Sequence, residues 1–357
     1  MTSQSPPLTE RRGDRRVDVR RRADLGPSNG EERRRYQEQR LREQRGHIPE
    51  FVHPVKVGPL DMELVSKLID VRPPYYALKN LSAIDSRTLR AEVYPEQPLG
   101  NECPPIQSAE AGRHLAILGS VVAGLMNPRV GKTYYLACSA ELKRLGPPIN
   151  DRGPLLAEGR GVILNRRRAK SETRLFTQSG IPLYSLTTFY QVLNDRLFDQ
   201  LFSDHRQDLR TSPRDQSPNS AEAAKRRNPY TNEYPLESII PIQNGLEGRL
   251  GPITSAQCNG HFPMTPVLPV AILMSSLASL VGKYLEKEWR AFGVNYSILS
   301  ASIRCQNLVF PAEKLTLKVR HIKSHANVHL FFCQAAKGAE EDIGNMWLTV
   351  LHNHGAN

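Results

Sequence analysis

The sequence predicts an α+β chain made of two related halves, each running through strands, a turn, one buried helix and further strands. Three observations lead there. Two stretches, from Ser108 and from Pro269, mix small and apolar residues on every face, as a helix buried on all sides would. Each follows a proline-rich turn and is flanked by segments that alternate apolar and polar residues, the mark of a half-buried strand. Between the halves, residues 203–235 are rich in Asp, Arg, Ser, Pro and Asn and read as an exposed linker.

Taken in order, residues 1–46 hold 13 Arg and 8 acidic residues with almost no apolar content. Such a segment cannot bury enough surface to offset chain entropy, so it is expected to be a disordered basic arm. Its role is open between a solubilising tail and a strand of charge for an acidic partner or nucleic acid. Residues 51–202 form the first half. YYALKNLSAID and TLRAEVYP read as strands. Ser108 suits an N-cap for the first buried helix. TYYLACSAELKRL, LLAEGRGVILN and AKSETRLFTQSG follow as strands. SLTTFYQVLNDRLFDQLF, from Ser185 to Phe202, has apolar residues at helical spacing and is expected to be an amphipathic helix closing this half. Residues 236–357 form the second half: SIIPIQ and GPITSA restart the strands, and NGHFPMTPVLPVAILMSSLASLVGKYL turns through Asn259–Pro263 into the second helix. Pro269 fits the first helical turn, where its missing N–H has no partner in any case.

Length and composition narrow the classes. A chain of 357 residues can bury two ordinary cores. The net charge is +12, of which the arm supplies +5. Five cysteines without CxxC spacing suit a reducing cytoplasm rather than a disulfide framework. There is no signal-like leader, and the helix from Pro269 is too punctuated with Ser and Gly for a membrane span. Gly131-Lys132-Thr133 lacks the earlier glycine of a phosphate loop. The clusters Arg166–Arg168 and Lys225–Arg227 read as solvated faces or as receivers of an acidic carrier or of CoA phosphates.

GHFPMTPVLPVAILMSSLAS resembles the GHFPGxPVMPGVLxxEALAQ pattern of the (3R)-hydroxyacyl-ACP dehydratases, and SASIRCQNLVFPAEKLTLKVRHIK resembles the strands that follow it in that family. The resemblance covers the last third of the chain. It implies a double hot dog: two antiparallel sheets, each wrapped around a central buried helix, joined as an internal pseudo-dimer. It also implies that histidine and carboxylate come from opposite halves. Met264 replaces a family glycine, and Ser275 stands where the family keeps its acid. Aligning the halves on Pro104 and Pro269 sets Glu110 opposite Ser275 and Glu96 opposite His261. The second half then keeps the histidine and the first half the acid.

The resemblance thus implies His261 as base and Glu110 as acid in one composite site, with the amide of Val270 as oxyanion donor. Phe262, Met264, Ser275 and His114 would contact substrate; Ser276 and Ser279 are further candidates for shaping an acyl tunnel. These residue types suit removal of water from a 3-hydroxyacyl thioester. Imidazole titrates near neutrality, a buried carboxyl can be held protonated, and a helix N-terminus can receive enolate charge. The bland readings are a turn histidine bonded to backbone, a helix-dipole glutamate and a packing histidine. Three functions follow: a hydro-lyase of fatty acid or polyketide biosynthesis, a thioesterase using Glu110, or a non-catalytic acyl-binding protein. None calls for a metal, or for a cofactor beyond the phosphopantetheine of an acyl carrier protein or CoA that bears the substrate. No membrane partner is expected, and further oligomerisation is left open.

Overall fold

Alternation of buried and exposed side chains runs through nearly every long strand of this chain, and the ladders those strands form make one sheet. The computed structural model describes residues 57–128, 131–150, 153–205, 228–289, 295–338 and 341–353. The basic arm, most of the linker and Lys225–Arg227 lie outside the described residues. Residues 48–357 belong to one compact unit.

The first half begins with β1 (Gly58–Pro59), α1 (Met62–Ile69), β2 (Lys79–Ala83) and β3 (Thr88–Val93). Helix α1 was not expected from the sequence, although Asp61 caps it by accepting the Leu64 amide at 2.7 Å. Then come α2 (Ser108–Met126), β4 (Thr133–Arg144), β5 (Leu155–Leu164), β6 (Arg168–Phe176), β7 (Pro182–Asn194) and α3 (Asp195–Phe202). The second half has β8 (Glu237–Ile242), β9 (Gly245–Leu250), α4 (Val270–Trp289), β10 (Tyr296–Cys305), β11 (Leu315–His325), β12 (Val328–Lys337) and β13 (Glu341–His352).

The sheet order is β1-β2-β3-β5-β6-β7-β4-β10-β13-β12-β11-β9-β8. Read outward from its centre it repeats: β4, β7, β6, β5, β3 on one side and β10, β13, β12, β11, β9 on the other. Two separate sheets were expected. Instead β4 and β10 pair antiparallel over Ser139–Lys143 and Ser300–Arg304, so the halves share one 13-stranded sheet. Helix α2 packs on β3, β5, β6 and β7, helix α4 on β9, β11 and β12, and the two helices touch. Gly119 lets α2 lie close: a Cβ there would overlap Ser171 and Tyr190.

Three local expectations change. The segment from Ser185 is not all helix. Its first part is β7, where TTFYQV places alternate side chains in and out, and the helix starts only after Asn194, whose side chain accepts the Leu197 amide at 2.8 Å. GPITSA carries no strand; β9 is GLEGRL just before it. The N-cap of α2 is Gln107, while Ser108 gives its amide to Glu102 at 2.8 Å.

Candidate functional site

The Asn-Gly-His-Phe-Pro turn is bound from both halves. Val71 bridges His261, and the Arg72 amide donates to the Gly260 carbonyl at 2.8 Å. Gly260 has φ +84°, and a Cβ there would overlap the Arg72 carbonyl oxygen, so this close approach requires glycine. Phe262 takes φ +52°, a left-handed conformation that a non-glycine residue holds only when its surroundings impose it. Those surroundings are aromatic. Phe262 lies edge-on to Tyr134 and Phe198, and Phe198 stacks on Tyr134 at 3.7 Å. Helix α3 of the first half thus closes over the turn of the second.

His261 lines a cavity of about 140 Å³ that runs between α2 and α4 and under the paired strands β4 and β10. The wall includes Gly112 and Ala116 of α2, Met274 and Ala278 of α4, Ala140 of β4 and Ile303 of β10. Among the described residues that line it, none bears a formal charge. His261 Nδ1 lies 3.0 Å from the Val267 carbonyl oxygen. A carbonyl only accepts, so Nδ1 carries the hydrogen and Nε2 keeps a lone pair. Burial pushes the imidazole down to about 4, partly opposed by that bond, so the ring is neutral at physiological pH. The arrangement is an unprotonated ring nitrogen beside an apolar, helix-lined cavity, suited to taking a proton from a carbon acid.

Phe262 and Val270 line the same cavity. Val270 opens α4, one of the first helical positions, whose amides have no intrahelical acceptor. Met264, Ser275 and His114 do not line it. Ser276 hydrogen-bonds back to Ile272 and Ser279 to Glu233, so neither faces the cavity as a free hydroxyl.

Glu110 is not brought to His261. On α2 the cavity face is Ala109, Gly112, Ala116 and Ser120, and Glu110 points off that face. Its carboxylate, fully buried, accepts the amides of Glu96 at 2.6 Å and Gln97 at 3.3 Å. Arg113 and His114 lie 3.8 and 3.6 Å from it, and Arg113 pairs with Glu96. A chain of ring contacts links this cluster to the histidine: Tyr75 is 4.7 Å from the His261 ring and 5.2 Å from Tyr230, over which Arg113 sits. The proline-based register explains the misplacement. Pro269 abuts α4, whereas three residues separate Pro104 from α2. Aligning the helix starts instead sets Arg113 opposite Ser275. Aligning the bulges of β4 and β10, at Cys138 and Leu299, sets His114 there.

Glu96, Glu110 and His114 present ligand atoms within 4.8 Å of one another, a spacing that a metal ion could use. The Arg113 guanidinium, however, already lies against both carboxylates and supplies the positive charge there. No helix among the described residues is long and apolar enough to cross a membrane.

Sequence reasoning missed Tyr75 and Tyr230. Tyr75 read as part of a strand and Tyr230 as linker, and neither position carries a periodic or motif signal. Tyr230 is wholly buried and donates to the Asn259 carbonyl at 2.7 Å, so the end of the linker locks the histidine turn.

The chain is similar to known proteins over the stretch that holds His261. A family model described as ApeI-like, ApeI dehydratase, matches residues 251–342, which contain the histidine turn and α4. The 3-hydroxyacyl-acyl-carrier-protein dehydratase FabZ of Rhizobium etli is 30% identical over 127 residues, covering 32% of this chain and 81% of that protein. FabZ of Brucella melitensis is 29% identical over 100 residues, 26% of this chain, and the match spans only 64% of that relative's length. The solved structure of a protein named as an oleoyl thioesterase, from Lactobacillus plantarum, superposes with a TM-score of 0.51 at 11% identity, over 76% of this chain and 99% of that one, a likeness of fold alone. The chain belongs to the hot-dog-fold dehydratase family that includes the 3-hydroxyacyl-acyl-carrier-protein dehydratase FabZ.

Proposed function

We propose that this chain removes water from 3-hydroxyacyl thioesters to give 2-enoyl thioesters, in a single composite site between two fused hot-dog halves. The observation that carries the reading is His261: neutral, held by its Nδ1 hydrogen to Val267, and set in the wall of an uncharged cavity. With the acyl chain in that cavity and C2 against the ring, Nε2 takes the C2 proton. The developing enolate oxygen falls to the amide of Val270 at the start of α4, where the helix dipole adds to the hydrogen bond. Phe262, stacked on the imidazole at 4.3 Å, keeps the ring in one plane and excludes water behind it. The pantetheine arm of an acyl carrier protein is the carrier that the relatives' names favour, in fatty acid or polyketide-type synthesis in the cytoplasm.

The position of Glu110 argues against hydrolysis through that carboxylate, because it makes no wall of the cavity. The test is the mass of the product from a 3-hydroxybutyryl thioester. Loss of water supports the reading. Release of the thiol replaces it with hydrolysis, and binding without turnover replaces it with a carrier role.

A further inference from the structure

A dehydration needs a proton for the departing hydroxyl, and the carboxylate expected to give it faces elsewhere. On the cavity wall, the hydroxyl-bearing ring packed directly against the imidazole is that of Tyr75. Its ring is 4.7 Å from the His261 ring at 53°, it lines the same cavity, and 6% of the residue is exposed. Among the described residues its Oη has no hydrogen-bond partner. The other tyrosines on that wall are committed: Tyr190 donates to the Ala116 carbonyl at 2.8 Å, and Tyr135 to the Ala123 carbonyl at 3.3 Å.

Tyr75 is also held in place by backbone. It stands in the turn after Val71 and Arg72, the two residues that grip the His261 turn from the first half, and the Tyr76 amide closes that turn onto the Arg72 carbonyl at 3.0 Å. Gly260 lies so close that a Cβ on it would come within 3.0 Å of the Tyr75 amide nitrogen. Tyr75 and His261 are therefore fixed to each other across the halves, as a cooperating pair must be.

Resting on the dehydratase reading, we propose that Tyr75 is the catalytic acid that replaces the family's carboxylate. His261 Nε2 takes the C2 proton, and the C2–H electron pair becomes the C2–C3 double bond. The C3–O bond breaks, and the leaving oxygen takes the Tyr75 proton to depart as water. The phenolate then takes the proton held by the imidazolium, which returns both side chains to their starting states with no other reactant. Burial raises the phenol above its ordinary range, so it enters the reaction protonated.

The two proton transfers separate experimentally. A 3-hydroxyhexanoyl thioester reports elimination. A hexanoyl thioester in deuterium oxide has no leaving group and reports C2 proton removal alone, as deuterium uptake read by mass. Tyr75→Phe keeps the ring beside His261 and removes a hydroxyl with no protein partner, so it should melt with the wild type. Elimination should fall by about 10²- to 10⁴-fold, the usual worth of a positioned acid, while C2 exchange stays within a few-fold of wild type. His261→Ala should lose both. Elimination by folded Tyr75→Phe at near the wild-type rate overturns the assignment and leaves the dehydratase reading standing. Loss of exchange together with elimination in that variant also overturns it, because Tyr75 would then act only by placing His261. A wild-type chain that eliminates no water defeats the functional reading itself.

Discussion

Replacing His261 by glutamine isolates the titration of one ring. In the folded chain burial carries this imidazole from 6.5 down to about 4, whereas in the unfolded chain it returns to about 6.5. Between those values the unfolded chain binds a proton that the folded chain refuses. The residue's contribution to stability is therefore complete above about pH 6.5 and is lost as the pH falls toward 4. At roughly 1.4 kcal/mol per unit, the loss is about 3 kcal/mol. Urea unfolding of both proteins from about pH 7 to about pH 4 measures it: the wild type should lose up to about 3 kcal/mol more than His261→Gln. His114, also pushed down by burial, titrates in both proteins and cancels. Activity should follow the same ring, with kcat/KM level from neutrality to about pH 5 and falling below that as Nε2 is protonated. Parallel loss of stability in the two proteins, or an activity break near the ordinary histidine value, would refute the neutral buried base.

Three further outcomes follow from particular contacts. Glu110→Ala removes one of the two carboxylates beside buried Arg113 and leaves the amides of Glu96 and Gln97 without their acceptor, so urea unfolding should show a loss of about 3–5 kcal/mol; the folded fraction should still dehydrate, and abolished chemistry in a folded variant would return Glu110 to the site. A Cβ on Gly112 meets nothing within 4 Å. Gly112→Ala should therefore raise helix stability by up to about 1 kcal/mol in thermal unfolding, and Gly112→Phe should slow long acyl thioesters far more than short ones. Equal slowing would mean that the chain does not lie along α2. Gly260→Ala must hold a left-handed backbone and displace the Arg72 carbonyl, so it should cost at least about 2 kcal/mol and slow turnover by loosening the His261 turn; a silent substitution would show that the clamp between the halves is slack.

Much of this was legible before any coordinate. The apolar run after Pro269 is α4, the strands read from TYYLACSAELKRL, LLAEGRGVILN and AKSETRLFTQSG are β4, β5 and β6, and His261 sits at the wall of the cavity that its turn foreshadowed. Local rules failed where two signals overlapped. The residues from Ser185 to Phe202 satisfy a helical period overall, yet β-branched and aromatic side chains favour a strand as far as Asn194. Glu110 was misjudged for a different reason. Prolines mark turns but do not count the residues between turn and helix, and a shift of about one helical turn exchanges which residue stands opposite Ser275.

The sequence by itself determined the two buried helices, most of the long strands, the repeated order of the halves and the place of the histidine turn, because each depends on side chains near one another along the chain. Only the tertiary structure decided that the halves share one sheet through β4 and β10, that the expected acid is spent on binding the 96–97 loop, and that Tyr75 stands beside His261. Those outcomes depend on where two separately patterned surfaces meet. Hydrophobic periodicity says that a face will be covered, but it does not say which residue of a distant turn will cover it.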